Sequence, residues 1–170
     1  MANERIGRTG SDTSDVRVII TATGADQYRI VATATFDSEL AEVWALLWDW
    51  QRFVAVGLPG LTSGFTWLSG GPDHVPSTFQ FEAAGALLKE QIYERAADLE
   101  SGRHCLRYRV LEPALGVLEY DAVLELQSTE AGGTAYSATR DVRLTPGTGP
   151  DMLAGMVESE TRCLKQYFAV

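Results

Sequence analysis

RHCLRYRVLEPALGVLEYDAVLELQ, residues 103–127, is the stretch whose pattern decides the fold. In its first part, 103–111, Leu106, Tyr108 and Val110 alternate with Arg107 and Arg109. In its second, 117–127, Tyr120, Ala122, Leu124 and Leu126 alternate with Asp121, Val123 and Glu125. A period of two sends successive side chains to opposite faces, so each part predicts a strand with one apolar and one wet face, as in an antiparallel sheet covered on one side. Downstream, Gly132-Gly133 turns the chain into a further strand at 134–144. Pro146-Gly147-Thr148-Gly149-Pro150 then leads to a helix over 151–168, where Met152, Leu153, Met156, Val157, Leu164, Tyr167 and Phe168 form a broad apolar stripe. Upstream, 65–68, 78–83 and 87–97 read as strands, the last two joined by a tight turn near Ala84-Gly85-Ala86.

A helical stretch, 37–56, precedes these strands. Asp37 or Ser38 is the expected cap. Leu40, Val43, Trp44, Leu47 and Trp48 recur at helical spacing and mark the buried face. A second short helix over 50–56 is stopped by Gly57-Leu58-Pro59-Gly60. Before it, 16–23 and 28–36 are strand-like, and the break at Gly24-Ala25-Asp26-Gln27 allows either a hairpin or one kinked strand. The order predicts an α+β fold: a curled antiparallel sheet of about six or seven strands wrapped around a long C-terminal helix, with two short helices after the first strand. Such a sheet encloses a cavity, and aromatic walls suit an apolar ligand.

The chain has 170 residues, 45% hydrophobic and 22% charged, which fits a single globular domain over 16–170. Residues 1–15 are polar and read as a disordered lead-in rather than a signal peptide. A net charge of −9 argues against nucleic acid, whose phosphates need clustered Lys and Arg. No apolar run is long enough to span a bilayer. Two cysteines, Cys105 and Cys163, make no disulfide framework, so a reducing cytoplasm is the expected location. The expected partner is a hydrophobic small molecule, bound by a monomer or homodimer. No phosphate loop, His-Glu-x-x-His, Cys-x-x-Cys or Gly-x-Ser-x-Gly occurs. The two histidines, His74 and His104, lie far apart in sequence, so neither metal nor cofactor is expected.

The segments FDSELAEVWALLWDW (36–50), YERAADLESGRHCLRYRVLEPALGVLEYDAVLEL (93–126) and LTPGTGPDMLAGMVESETRCLKQYF (144–168) resemble the START-like, or birch-pollen-allergen-like, superfamily over about residues 28–168. The LRYRVLE and EY patterns look like its bacterial polyketide cyclase/dehydrase branch, and the TPGTG loop is similar to that of bacterial aromatase/cyclases. The resemblance implies a helix-grip fold with a hydrophobic cavity. It also implies cyclisation or dehydration of a polyketide-like substrate, or carriage of a lipid or aromatic.

Without the usual motifs, chemistry falls to carboxyl, phenol and guanidinium groups. On the segment 87–97, the face with Leu88, Glu90, Ile92 and Glu94 is the more apolar. Glu90 and Glu94 are therefore expected inward, where desolvation raises a carboxyl pKa towards that of a general acid or base. Glu94 is preferred, because Glu94-Arg95 looks like the pocket Glu-Arg pair of plant hormone receptors in the superfamily. Tyr120 matches their pocket tyrosine and is expected to hold the reacting oxygen. The aromatase resemblance places a functional arginine at Arg95 instead. That register turns Tyr93 and Arg95 inward, and a one-residue slip exchanges the two sets. The cavity walls are expected from Trp67, Phe79, Phe81, Ile92, Leu106, Tyr108, Val110, Met152 and Met156, around a ring-containing ligand of drug-like size. Glu160 interrupts the stripe of the last helix, as a solvent-facing group or a polar one at the pocket mouth. His104 is expected at the rim.

Overall fold

A computed structural model describes residues 16–169; the expected lead-in at 1–15 lies outside the described residues. The elements in chain order are β1 (Arg17–Gly24), β2 (Gln27–Phe36), α1 (Leu40–Trp48), α2 (Trp50–Gly57), β3 (Thr62–Ser69), β4 (Ser77–Ala83), β5 (Ala86–Asp98), β6 (Arg103–Val110), β7 (Val117–Ser128), β8 (Thr134–Leu144) and α3 (Asp151–Tyr167). The eight strands form one antiparallel sheet in the order β1-β2-β8-β7-β6-β5-β4-β3. This is the expected helix-grip arrangement, with more strands than the six or seven predicted. The difference lies at 16–36, where the chain makes a hairpin. Asp26 turns it in the left-handed region, φ 55°.

The helix start also differs from expectation. Residue Glu39, not Asp37 or Ser38, is the N-cap of α1, and it makes no side-chain cap. The chain is anchored there through its backbone, since the Thr134 hydroxyl donates to the Ser38 carbonyl at 2.8 Å. Asp49 breaks α1 from α2 and caps the latter, accepting from the Arg52 amide at 3.3 Å.

The period-two pattern explains the core. Ile30, Phe36, Phe79, Phe81, Ile92, Leu106, Leu124, Tyr136 and Leu144 face inward from six strands and are buried. Ala154, Val157, Thr161 and Leu164 are the buried stripe of α3. That helix packs against α2, β2 and β1. The β7–β8 hairpin relies on close backbone approach at Gly133. A Cβ there would come within 2.5 Å of the Phe36 carbonyl oxygen. Gly133→Ala is expected to cost about 1–3 kcal/mol by overpacking, measured as a fall in denaturant midpoint. No change in midpoint would show that the backbone gives way freely.

Candidate functional site

The strand β5 decides which side chains meet inside. Glu90 pairs with Val110 and Ile92 with Tyr108, but Glu94 pairs with Arg107, so Tyr93 is an extra residue. A bulge of this kind inverts the facing of everything beyond it. Glu90 and Ile92 point inward as expected. Glu94 does not: it is exposed and forms an ion pair with Arg107 at 3.1 Å. Tyr93 faces outward and donates to the Asp121 carboxylate at 2.8 Å. Arg95 has crossed to the inner side, opposite Leu106. Each sequence register therefore holds for half of the strand. Arg95 is nevertheless spent on structure. Its guanidinium lies 4.7 Å from the centre of the Trp48 ring and donates to the carbonyls of Trp48 and Pro72.

A cavity of about 110 Å³ lies between α2, α3 and the inner face of β4–β8. Of the expected wall residues, Phe81, Tyr108, Val110, Met152 and Met156 line it, as do Glu90 and Tyr120. Met152 is 60% exposed and sits at the mouth. Phe79, Ile92 and Leu106 are buried in solid core instead. The cause is α2. Its Trp50 and Phe53 rings stack at 4.8 Å, and Trp50 packs on Phe79 at 6.0 Å and on Tyr108 at 4.8 Å. These rings fill the half of the sheet that Phe79 and Leu106 face. Trp67 packs on Phe65 and Phe79, outside the cavity. His104 is buried against the edge of Trp44 at 5.0 Å rather than at a rim. The volume falls below the roughly 300–1,000 Å³ of drug-sized sites. It is nearer the about 150 Å³ cavity that takes a benzene ring.

One wall of the cavity is polar. Arg140, from β8, is 0% exposed. Its Nη2 donates to Glu160 at 2.5 Å and its Nε to the Tyr120 hydroxyl at 2.7 Å. The Tyr120 and Tyr108 hydroxyls lie 3.0 Å apart. Glu160 reaches Arg140 past the end of α2, where Gly57 leaves a notch. A Cβ on Gly57 would lie 2.8 Å from the Glu160 Cγ. Glu90 stands apart from these bonds, with no hydrogen bond or ion pair to another described residue. Burial pushes its carboxyl up to about 8, with Glu160 adding to the rise and Arg140 opposing it. Burial likewise raises the Tyr108 and Tyr120 phenols.

Arg140 was not singled out from sequence, though its signal was present. Tyr136, Ala138, Arg140, Val142 and Leu144 share one strand face, and an arginine inside such a run is a buried charge that needs a partner. A second hollow of about 340 Å³ lies over β2, β6, β7 and β8, where Thr33, Arg103, Glu125, Tyr136 and Ser137 are among the residues that line it. Among the described residues, no group of three or more His, Cys, Asp or Glu is placed to hold a metal, and no helix is long and apolar enough to cross a membrane.

No family model and no curated protein matches the chain. Solved structures do share its fold. Ginseng major latex-like protein 151, from Panax ginseng, superposes with a TM-score of 0.64 at 16% identity, covering 85% of this chain and 99% of that one. A structural-genomics target from Nitrosospira multiformis gives a TM-score of 0.64 at 14% identity, with 83% and 96% covered. Identities this low establish the helix-grip fold and leave function to the site.

Proposed function

We propose that the protein binds an apolar, ring-containing small molecule in this cavity and promotes its cyclisation or dehydration by acid/base chemistry, as in the bacterial polyketide cyclase/dehydrases that the sequence resembles. Glu90 carries the reading. It is a carboxyl group on an apolar strand face, 8% exposed, unbonded and pushed up to about 8. At neutral pH it holds its proton and can give it to a departing hydroxyl. One of the two tyrosines donates to the substrate carbonyl, stabilising the enolate oxygen. In the dehydration of a β-hydroxy ketone, the Glu160 carboxylate takes the proton beside the carbonyl. The C=C bond forms, the C–O bond breaks, and Glu90 protonates the leaving oxygen to release water. Glu160 then returns its proton to Glu90 through solvent.

Glu94, exposed and paired with Arg107, takes no part in this scheme. Turnover of an aromatic β-hydroxy ketone is expected to fall about a hundredfold or more in Glu90→Gln, with binding retained. Glu94→Gln is expected to leave it unchanged. Full turnover in Glu90→Gln would defeat the assignment. The apolar character of most of the lining favours a second reading, a carrier or sensor of a lipid or aromatic. Tight binding with no product from any such ketone would establish that reading instead.

A further inference from the structure

The polar wall of the cavity also defines which ligands it accepts. Tyr108 and Tyr120 have two hydroxyl hydrogens between them. One closes the 3.0 Å bond between the oxygens, in either direction. Tyr120 spends a lone pair accepting from Arg140 Nε, which uses no hydrogen. Whichever tyrosine donates to the other, one phenolic hydrogen remains without a described partner, and both rings line the cavity. The buried pair therefore offers one donor, polarised by the guanidinium behind it.

The same wall has no charge to offer an anion. No Lys, Arg or His lines the cavity. Arg140 stands behind Tyr120, and its charge is matched by Glu160 at 2.5 Å. An entering carboxylate would face the Glu160 carboxylate, the Glu90 side chain and apolar walls. Leaving an anion unpaired in such surroundings is costly.

We infer that the cavity selects uncharged ring compounds bearing an acceptor oxygen of the carbonyl type, and rejects carboxylates of the same shape. The inference rests on the proposed binding of a small apolar molecule in this cavity and names its chemical class. The donor count has a specific consequence. Tyr108→Phe frees the hydrogen of Tyr120, and Tyr120→Phe frees that of Tyr108, so either single variant keeps a donor. Only the double variant loses it.

Calorimetric titration of the full chain at pH 7 with acetophenone, toluene and benzoate tests this. Acetophenone is expected to bind about tenfold tighter than toluene, the size of one good hydrogen bond. Benzoate is expected to bind at least about tenfold more weakly than acetophenone. Each single tyrosine variant should keep most of the preference for acetophenone over toluene. Tyr108→Phe/Tyr120→Phe should remove most of it, leaving only what the Glu90 carboxyl supplies, while still binding toluene, which also reports that the cavity remains folded. Benzoate binding as tightly as acetophenone, or a double variant that keeps the preference, would overturn the inference while leaving ligand binding intact. A double variant that no longer takes up toluene is replaced by Glu90→Leu with the tyrosines intact, for which the preference must persist in part; its complete loss would place the donor on Glu90 alone and overturn the tyrosine assignment. If none of the three compounds binds the native chain, the binding reading itself fails.

Discussion

Arg140→Met is expected to destabilise the protein by about 3–5 kcal/mol, the usual cost of removing one partner from a buried ion pair. The arginine is fully buried and bonds both Glu160 and Tyr120. Its removal leaves a carboxylate on α3 facing a cavity with no cation in its lining. It also removes the bond that ties β8 to β7 and α3 across the sheet interior. At about 2–4 °C of melting temperature per kcal/mol for a domain of this size, the fall should be on the order of 10 °C. Arg140→Met/Glu160→Met is expected to recover much of that loss, because paired charges replaced together by apolar groups leave nothing unpaired. Thermal unfolding of both variants checks this. A double variant no more stable than Arg140→Met would mean that the arginine acts through packing alone.

Stability should fall as pH rises from about 4.5 to about 8, and Glu90→Gln should remove much of that slope. The sign follows from the folded value, raised from 4.5 to about 8. Below 4.5 the carboxyl is protonated in both states and contributes nothing to the difference. Above 4.5 the unfolded chain releases the proton while the folded chain keeps it, so unfolding gains with each further unit. Above about 8 both states are ionised and the loss levels off. At about 1.4 kcal/mol per unit the span amounts to a few kcal/mol. Glu90→Gln is therefore expected to be stabilising by that order at pH 9 and nearly neutral at pH 4. The check is a series of denaturant melts from pH 4 to 9 on both proteins. Equal slopes would show that Glu90 ionises at an ordinary carboxyl pH.

These two residues were legible to different degrees. Glu90 sits in an alternating run with Leu88 and Ile92, so its inward facing followed from the pattern. Glu160 broke an otherwise apolar helical stripe and stood out for that reason. Arg140 occupied the same kind of position on β8, but an arginine is ordinarily a surface group, and only its neighbours Tyr120 and Glu160 explain its burial. Glu94 is the instructive failure. Two residues beyond Ile92 it belonged inside by parity, and the extra residue Tyr93 put it outside.

The local sequence was enough for the architecture, because side-chain periods of two and 3.6 are properties of single segments. They marked β6, β7, β8 and α3 within a residue or so of their observed ends. Gly and Pro placed the breaks between them. Three features depended on tertiary structure. The bulge at Tyr93 exists only in relation to the partner strand β6, since a register is a property of a pair. The cavity's position depended on Trp50 and Phe53 filling one half of the sheet interior, a matter of volume between elements distant in sequence. The cluster of Glu90, Tyr108, Tyr120, Arg140 and Glu160 draws on four strands and a helix that meet only once the sheet has curled around α3. Burial there removes water from every one of these groups at once, and that shared desolvation, which no single segment encodes, raises Glu90.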